Sequence, residues 1–300
     1  MSDLADLFPG FETHWVDTDE GRFFVRAKGD GPPLLLLHGY PQTHVEWHKI
    51  APALSERFRV FVMDLRGYGW SSAPPSAKGE EYAKRKMARD AVAVMGKLGA
   101  IRFNLAGHDR GARVAYRLAL DAPERLLKVA ALDIVPTAAR WAAMDAKEAI
   151  GAYHWTFLAQ PEPLPETLIG SNAVFYLDHT LASWTADKSL KAFDPCALAH
   201  YRAAFNEPTR IHAACEDYRA GASLDRADDE ADRAAGRRIT APLLVLWGGR
   251  GLGGGAASTL DIWRQWATDV EGGELKGGHF LPEEAPQETL AALADFFSER

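Results

Sequence analysis

Short uninterrupted apolar runs, separated by amphipathic stretches, constrain this chain more than any other feature. Residues 34–37 are four consecutive leucines, and 59–64, 102–106, 129–135 and 243–247 are further β-branched, leucine- or alanine-rich runs of strand length. A strand without polar alternation is buried on both faces, and alternation of such strands with helices predicts an α/β protein with a mostly parallel sheet covered on two sides. Amphipathic spacing predicts helices over 43–57, up to about Leu98, over 111–120, around 260–266 and at the end of the chain. The segment 21–27 reads as an earlier strand, and Glu274 lies near a short late one. From about Pro136 to Arg238 no buried strand is evident, only aromatic and Ala-rich helical patterns. The economical division is a core of 1–136 and 238–300 with an inserted helical cap of 137–237. The charge run 225–233 reads as a solvated helix face.

Composition excludes several classes. The 300 residues carry 34 Lys plus Arg against 41 Asp plus Glu, a formal charge of −7. With no concentrated basic stripe, nucleic acid is not an expected partner. Cys196 and Cys215 are too few for a disulfide framework or a four-thiolate zinc site. No apolar run approaches the roughly 20 residues that span a bilayer, and the acidic start Met-Ser-Asp-Leu-Ala-Asp is unlike a signal peptide. A cytoplasmic protein without membrane partners is expected.

The most informative local motif is Gly107-His108-Asp109-Arg110-Gly111, directly after one predicted strand and before a predicted helix. This is the small-x-nucleophile-x-small turn, with Asp109 where Ser is usual. His38-Gly39-Tyr40-Pro41 follows the strand at 34–37, where a second oxyanion loop belongs, and Asp64-Leu65-Arg66-Gly67-Tyr68-Gly69 follows the next. His279 in Gly278-His279-Phe280 stands where a base is needed. The loop after 243–247 contains no carboxylate before Asp261, so Asp133, at the end of the strand that follows the nucleophile helix, is assigned to orient His279. Together these motifs resemble the α/β-hydrolase fold over essentially the whole chain.

Two other motifs are set aside. Gly251-Leu252-Gly253-Gly254-Gly255-Ala256 matches a dinucleotide fingerprint, but too little sheet remains after it, so no cofactor is expected. His44-Val45-Glu46-Trp47-His48 misplaces the Glu of a zinc-protease helix, so no metal is expected and a surface helix is the reading.

A carboxylate nucleophile suits displacement at saturated carbon, forming an alkyl ester whose carbonyl belongs to the enzyme. Water activated by His279 then attacks that carbonyl, with the Tyr40 and Arg110 N–H groups holding the oxyanion. Dehalogenases and epoxide hydrolases both work this way. Arg110 replaces the Trp that typically follows the nucleophile in haloalkane dehalogenases and epoxide hydrolases. Arg113 lies one helical turn on, and two guanidiniums there favour a carboxylate-bearing substrate. The stretch 107–113 together with Tyr153-His154-Trp155, Asp217-Tyr218-Arg219 and Gly277-Gly278-His279-Phe280 resembles the fluoroacetate (haloacetate) dehalogenases. The resemblance implies that Arg110 and Arg113 bind the substrate carboxylate, that His154, Trp155 and Tyr218 receive the halide, and that the protein is a homodimer. Trp184 and Tyr201 are weaker pocket candidates. The alternatives are an epoxide hydrolase, using two of Tyr153, Tyr176, Tyr201 and Tyr218, or a non-catalytic carboxylate-binding relative.

Overall fold

The computed structural model describes residues 4–250 and 259–298; the glycine-rich motif 251–256 lies outside them. Eight strands form one sheet: β1 (Glu12–Thr18), β2 (Gly21–Lys28), β3 (Pro33–Leu37), β4 (Arg59–Met63), β5 (Phe103–His108), β6 (Leu126–Leu132), β7 (Leu243–Gly248) and β8 (Val270–Leu275). Their order is β1-β2-β4-β3-β5-β6-β7-β8. The β1–β2 and β2–β4 pairs are antiparallel and the rest parallel. Leu34 to Leu37 and Val60 to Met63 are wholly buried, as continuous apolar runs in a sheet covered on both faces should be.

The site follows from this order. The chain steps from β3 out to β4, then returns across β3 to begin β5 on its other side. Such a reversal opens a crevice at the carboxyl ends of the two adjacent strands. Here those ends carry His38-Gly39-Tyr40 and Asp109.

Eight helices separate β6 from β7, from Thr137–Ala142 to Leu224–Ala234. Among the described residues no helix is long and apolar enough to cross a membrane.

Several elements differ from the sequence reading. The helix expected over 43–57 is a 3-10 turn, His44–Trp47, followed by a four-residue helix, Ala51–Leu54. That turn is not on the surface: Glu46 and Trp47 are fully buried. The strand expected over 129–135 runs instead over Leu126–Leu132 and stops at Asp133, whose φ is 52°. The charge run also departs from a solvated face. Asp225, Asp229 and Asp232, at helical spacing, are buried. Asp225 accepts the Lys84 N–H at 2.7 Å, Asp229 accepts the Tyr116 hydroxyl at 2.9 Å, and Asp232 pairs with Arg117. Buried acids of this kind are tolerated because each meets a donor or a cation.

Candidate active site

The turn after β5 forces Asp109 into φ 43°, ψ −111°, a conformation that non-glycine residues rarely hold. Only glycine fits two residues to either side: a Cβ on Gly107 would stand 2.4 Å from Gly111 O, and one on Gly111 would stand 2.3 Å from Leu37 O. The helix Arg110–Asp121 starts immediately afterwards, so its N-terminus faces the carboxylate. Asp109 Oδ2 accepts the Tyr40 N–H at 3.0 Å. The loop after β3 thus points a backbone donor at the Asp109 carboxylate.

His279 Nδ1 lies 2.6 Å from Asp133 Oδ2, and Asp133 Oδ1 accepts the Gly248 N–H at 2.9 Å. Donation from Nδ1 leaves Nε2 as the basic nitrogen. Burial opposes ionisation of Asp109, but His279, Arg110, Arg113 and His108 outweigh it and hold the carboxyl below its ordinary range.

The two arginines sit in unlike settings. Arg110 is fully buried and clasps Asp217 through Nε, 3.1 Å from each carboxylate oxygen, and through Nη2 to the Asp217 carbonyl at 2.7 Å. Asp217 also pairs with buried Lys84 and accepts the Tyr68 hydroxyl at 2.8 Å. Arg110 therefore pairs with a buried acid of the inserted helices, not with a surface one. Arg113 donates from Nη1 to Val135 O at 3.1 Å and Thr137 Oγ1 at 3.0 Å, and among the described residues no carboxylate is within ion-pair distance of it. Burial and the neighbouring Arg110 depress its pKa.

Aromatic side chains from the inserted helices close over these groups. Arg110 lies 4.3 Å above the Tyr218 ring and Arg113 4.6 Å above that of Trp155. The Tyr218 ring is 5.2 Å from Tyr40 and 5.6 Å from His154. Burial keeps His154 neutral, its pKa well below the ordinary histidine value. Trp184 packs 4.3 Å from His154 and 5.3 Å from His279. Tyr201 turns elsewhere, donating its hydroxyl to Glu283 at 2.7 Å.

The structure thus brings Asp109, His279, Asp133, Tyr40, Arg110, Arg113, His154, Trp155 and Tyr218 into one buried cluster. Sequence reasoning did not select Glu46, His108 or Asp217. Each lies in a motif quoted above, but the partners that give it a place in the site are distant in sequence. Outside Trp184 a surface cavity of about 370 Å³ is lined in part by Arg140, Lys147, Glu148, Lys188 and Arg250. Among the described residues no group of three or more His, Cys, Asp or Glu is arranged to hold a metal ion.

Residues 32–286 match the family model of the alpha/beta hydrolase fold. The fluoroacetate dehalogenase of Burkholderia sp is 39% identical, over 98% of this chain and 96% of that protein. The soluble epoxide hydrolase of Corynebacterium sp. (strain C12) is 32% identical, over 97% of this chain and 96% of that one. A crystal structure from Nostoc sp PCC 7120 superimposes with TM-score 0.94 at 52% identity, covering 97% of this chain and 99% of its own. With the strand order, the tight turn at Asp109 and a family match over most of its length, the chain belongs to the α/β-hydrolase fold family and is a hydrolase.

Proposed function

We propose that the protein is a haloacetate dehalogenase. It converts a short 2-halocarboxylate, fluoroacetate foremost, to the 2-hydroxy acid and halide, with helices 137–237 acting as a cap on the core. The observation that carries this reading is a set of buried nitrogens around Asp109 without hydrogen-bond partners: Arg110 Nη1, Arg113 Nε, His154 Nδ1 and His279 Nε2. A buried polar atom left unsatisfied costs about 1–3 kcal/mol. Several such atoms beside two guanidiniums suit a small anionic ligand that satisfies them.

The substrate carboxylate binds Arg110 and Arg113, which turns its halogen-bearing carbon toward Asp109. With Oδ2 on the Tyr40 N–H, Oδ1 attacks that carbon from behind. The C–O bond forms as the C–halogen bond breaks, and the halide leaves with the bonding pair. Donors on His154, Trp155 and Tyr218 receive its charge, which matters most for fluoride, a poor leaving group. Water then gives a proton to His279 Nε2 and attacks the Asp109 ester carbonyl. Asp133 stabilises the imidazolium and the Tyr40 N–H the oxyanion. Collapse expels the 2-hydroxy acid oxygen, which His279 protonates.

Fluoride release from fluoroacetate by wild type, absent from Asp109→Asn, tests the reaction. His279→Asn should accumulate the Asp109 ester, visible by intact mass. Full turnover by Asp109→Asn refutes the covalent route. Turnover of styrene oxide but of no halo acid supports the second reading, an epoxide hydrolase. Buried Tyr218 and the 32% identical relative favour that reading, and the paired arginines oppose it. Binding of haloacetate without turnover of any substrate marks a non-catalytic relative.

A further inference from the structure

Beneath the triad lies a buried polar pair that the mechanism above does not use. Glu46 and His108 are both fully buried, and His108 Nδ1 lies 3.0 Å from Glu46 Oε1. Each partner also holds a separate catalytic loop. Glu46 Oε2 accepts the Gly39 N–H at 2.8 Å, next to the Tyr40 donor. His108 Nε2 lies 2.8 Å from the carbonyl oxygen of His279 and donates to it. His108 is itself the residue before Asp109. The oxyanion loop, the nucleophile turn and the base loop thus meet through two side chains.

We infer that Glu46 and His108 are positioning residues that lock these three loops in register for hydrolysis of the Asp109 ester. The spacing leaves little slack, since a Cβ on Gly39 would stand 2.7 Å from Asp109 Cβ. Burial alone would keep His108 neutral, but Glu46 outweighs it and the pKa rises to about 9, so a charged His108 donates from Nε2 to the His279 carbonyl and faces the Glu46 counter-charge through Nδ1 as an ion pair. Removing Glu46 deprives Gly39 of its acceptor and His108 of its counter-charge.

Both half-reactions use Asp109 and the Tyr40 N–H, but only ester hydrolysis also needs the His279 loop in register with them, so slack between the three loops slows that half-reaction more than halide displacement. The inference rests on the two-step route proposed above, whichever halide or epoxide is the substrate. In Glu46→Ala, kcat should fall about 10- to 100-fold and KM should fall with it, leaving kcat/KM within about two-fold, because small misplacements of reacting groups carry losses of this size and slowed ester hydrolysis lowers both constants together. The Asp109 ester should accumulate by intact mass. Glu46→Gln should restore kcat to within about three-fold, because its amide oxygen accepts from Gly39 and its NH2 donates to a neutral His108. Unchanged kcat in Glu46→Ala overturns the inference, and so does loss of turnover without ester or failure of Glu46→Gln to rescue. If wild type turns over neither halo acids nor styrene oxide, the functional reading falls, and hydrogen exchange then decides on the pair. Peptides covering 38–42 and 277–281 should exchange faster in Glu46→Ala while those of β5 and β6 do not. Unchanged exchange in both loops overturns the pair's role.

Discussion

Asp217 is the carboxylate on which two buried cations depend, and the substitution Asp217→Asn gives a measurable consequence. Arg110 is fully buried and Lys84 is 1% exposed, and both reach Asp217, as does the Tyr68 hydroxyl. Burial opposes ionisation of Asp217, yet Arg110 and Lys84 overcome it and hold its pKa far below the ordinary value. The amide that replaces the carboxylate keeps the volume and one acceptor but removes the counter-charge of Arg110 and leaves Lys84 with only the more distant Asp225 carboxylate, at 3.6 Å. Breaking a buried pair from one side costs about 3–5 kcal/mol. At roughly 2–4 °C per kcal/mol for a chain of this size, the melting temperature should fall about 6–20 °C at pH 7. The loss should shrink as pH rises toward 9. Lys84 already has a depressed pKa, from burial and from Arg110, and the variant depresses it further. A lysine whose folded pKa lies below its unfolded value sheds a proton on folding, so stability rises with pH across that interval. Thermal unfolding followed by circular dichroism at both pH values measures this. A melting point within about 2 °C of wild type at pH 7 would refute the argument that Asp217 neutralises Arg110 and Lys84.

Arg113 should behave oppositely, since it is a buried cation without a carboxylate partner among the described residues. Arg113→Met should leave the melting temperature unchanged or higher while raising KM for a haloacetate about 10- to 100-fold, the loss of one charge-assisted hydrogen bond; steady-state halide release and thermal unfolding together check it. The cavity outside Trp184 is lined by four cationic residues and one acid, Glu148, in a protein of net charge −7. Lys147→Glu combined with Lys188→Glu should lower kcat/KM for haloacetates with kcat unchanged, and the difference should vanish at high salt; a salt-independent kcat/KM in both proteins would rule out this route of attraction.

How far the chain could be read without its structure depends on how local each determinant is. The leucines at 34–37 and the runs at 59–64 and 243–247 specify buried strands by themselves, because only a sheet covered on both faces accommodates them. The turn that holds Asp109 is equally local: Gly107 and Gly111 stand two residues to either side of it, where a Cβ would strike the Gly111 and Leu37 carbonyl oxygens. Charged residues behave otherwise. A sequence assigns Glu46, Asp225, Asp229 and Asp232 to the surface because an unpaired buried charge is prohibitive. The partners that make burial acceptable, His108, Lys84, Tyr116 and Arg117, lie dozens of residues away or more. Asp217 reaches Arg110 across 107 residues, a pairing that no periodicity encodes. Local sterics and apolar patterning are written along the chain. Which buried charge meets which is decided only when the inserted helices fold back over the sheet.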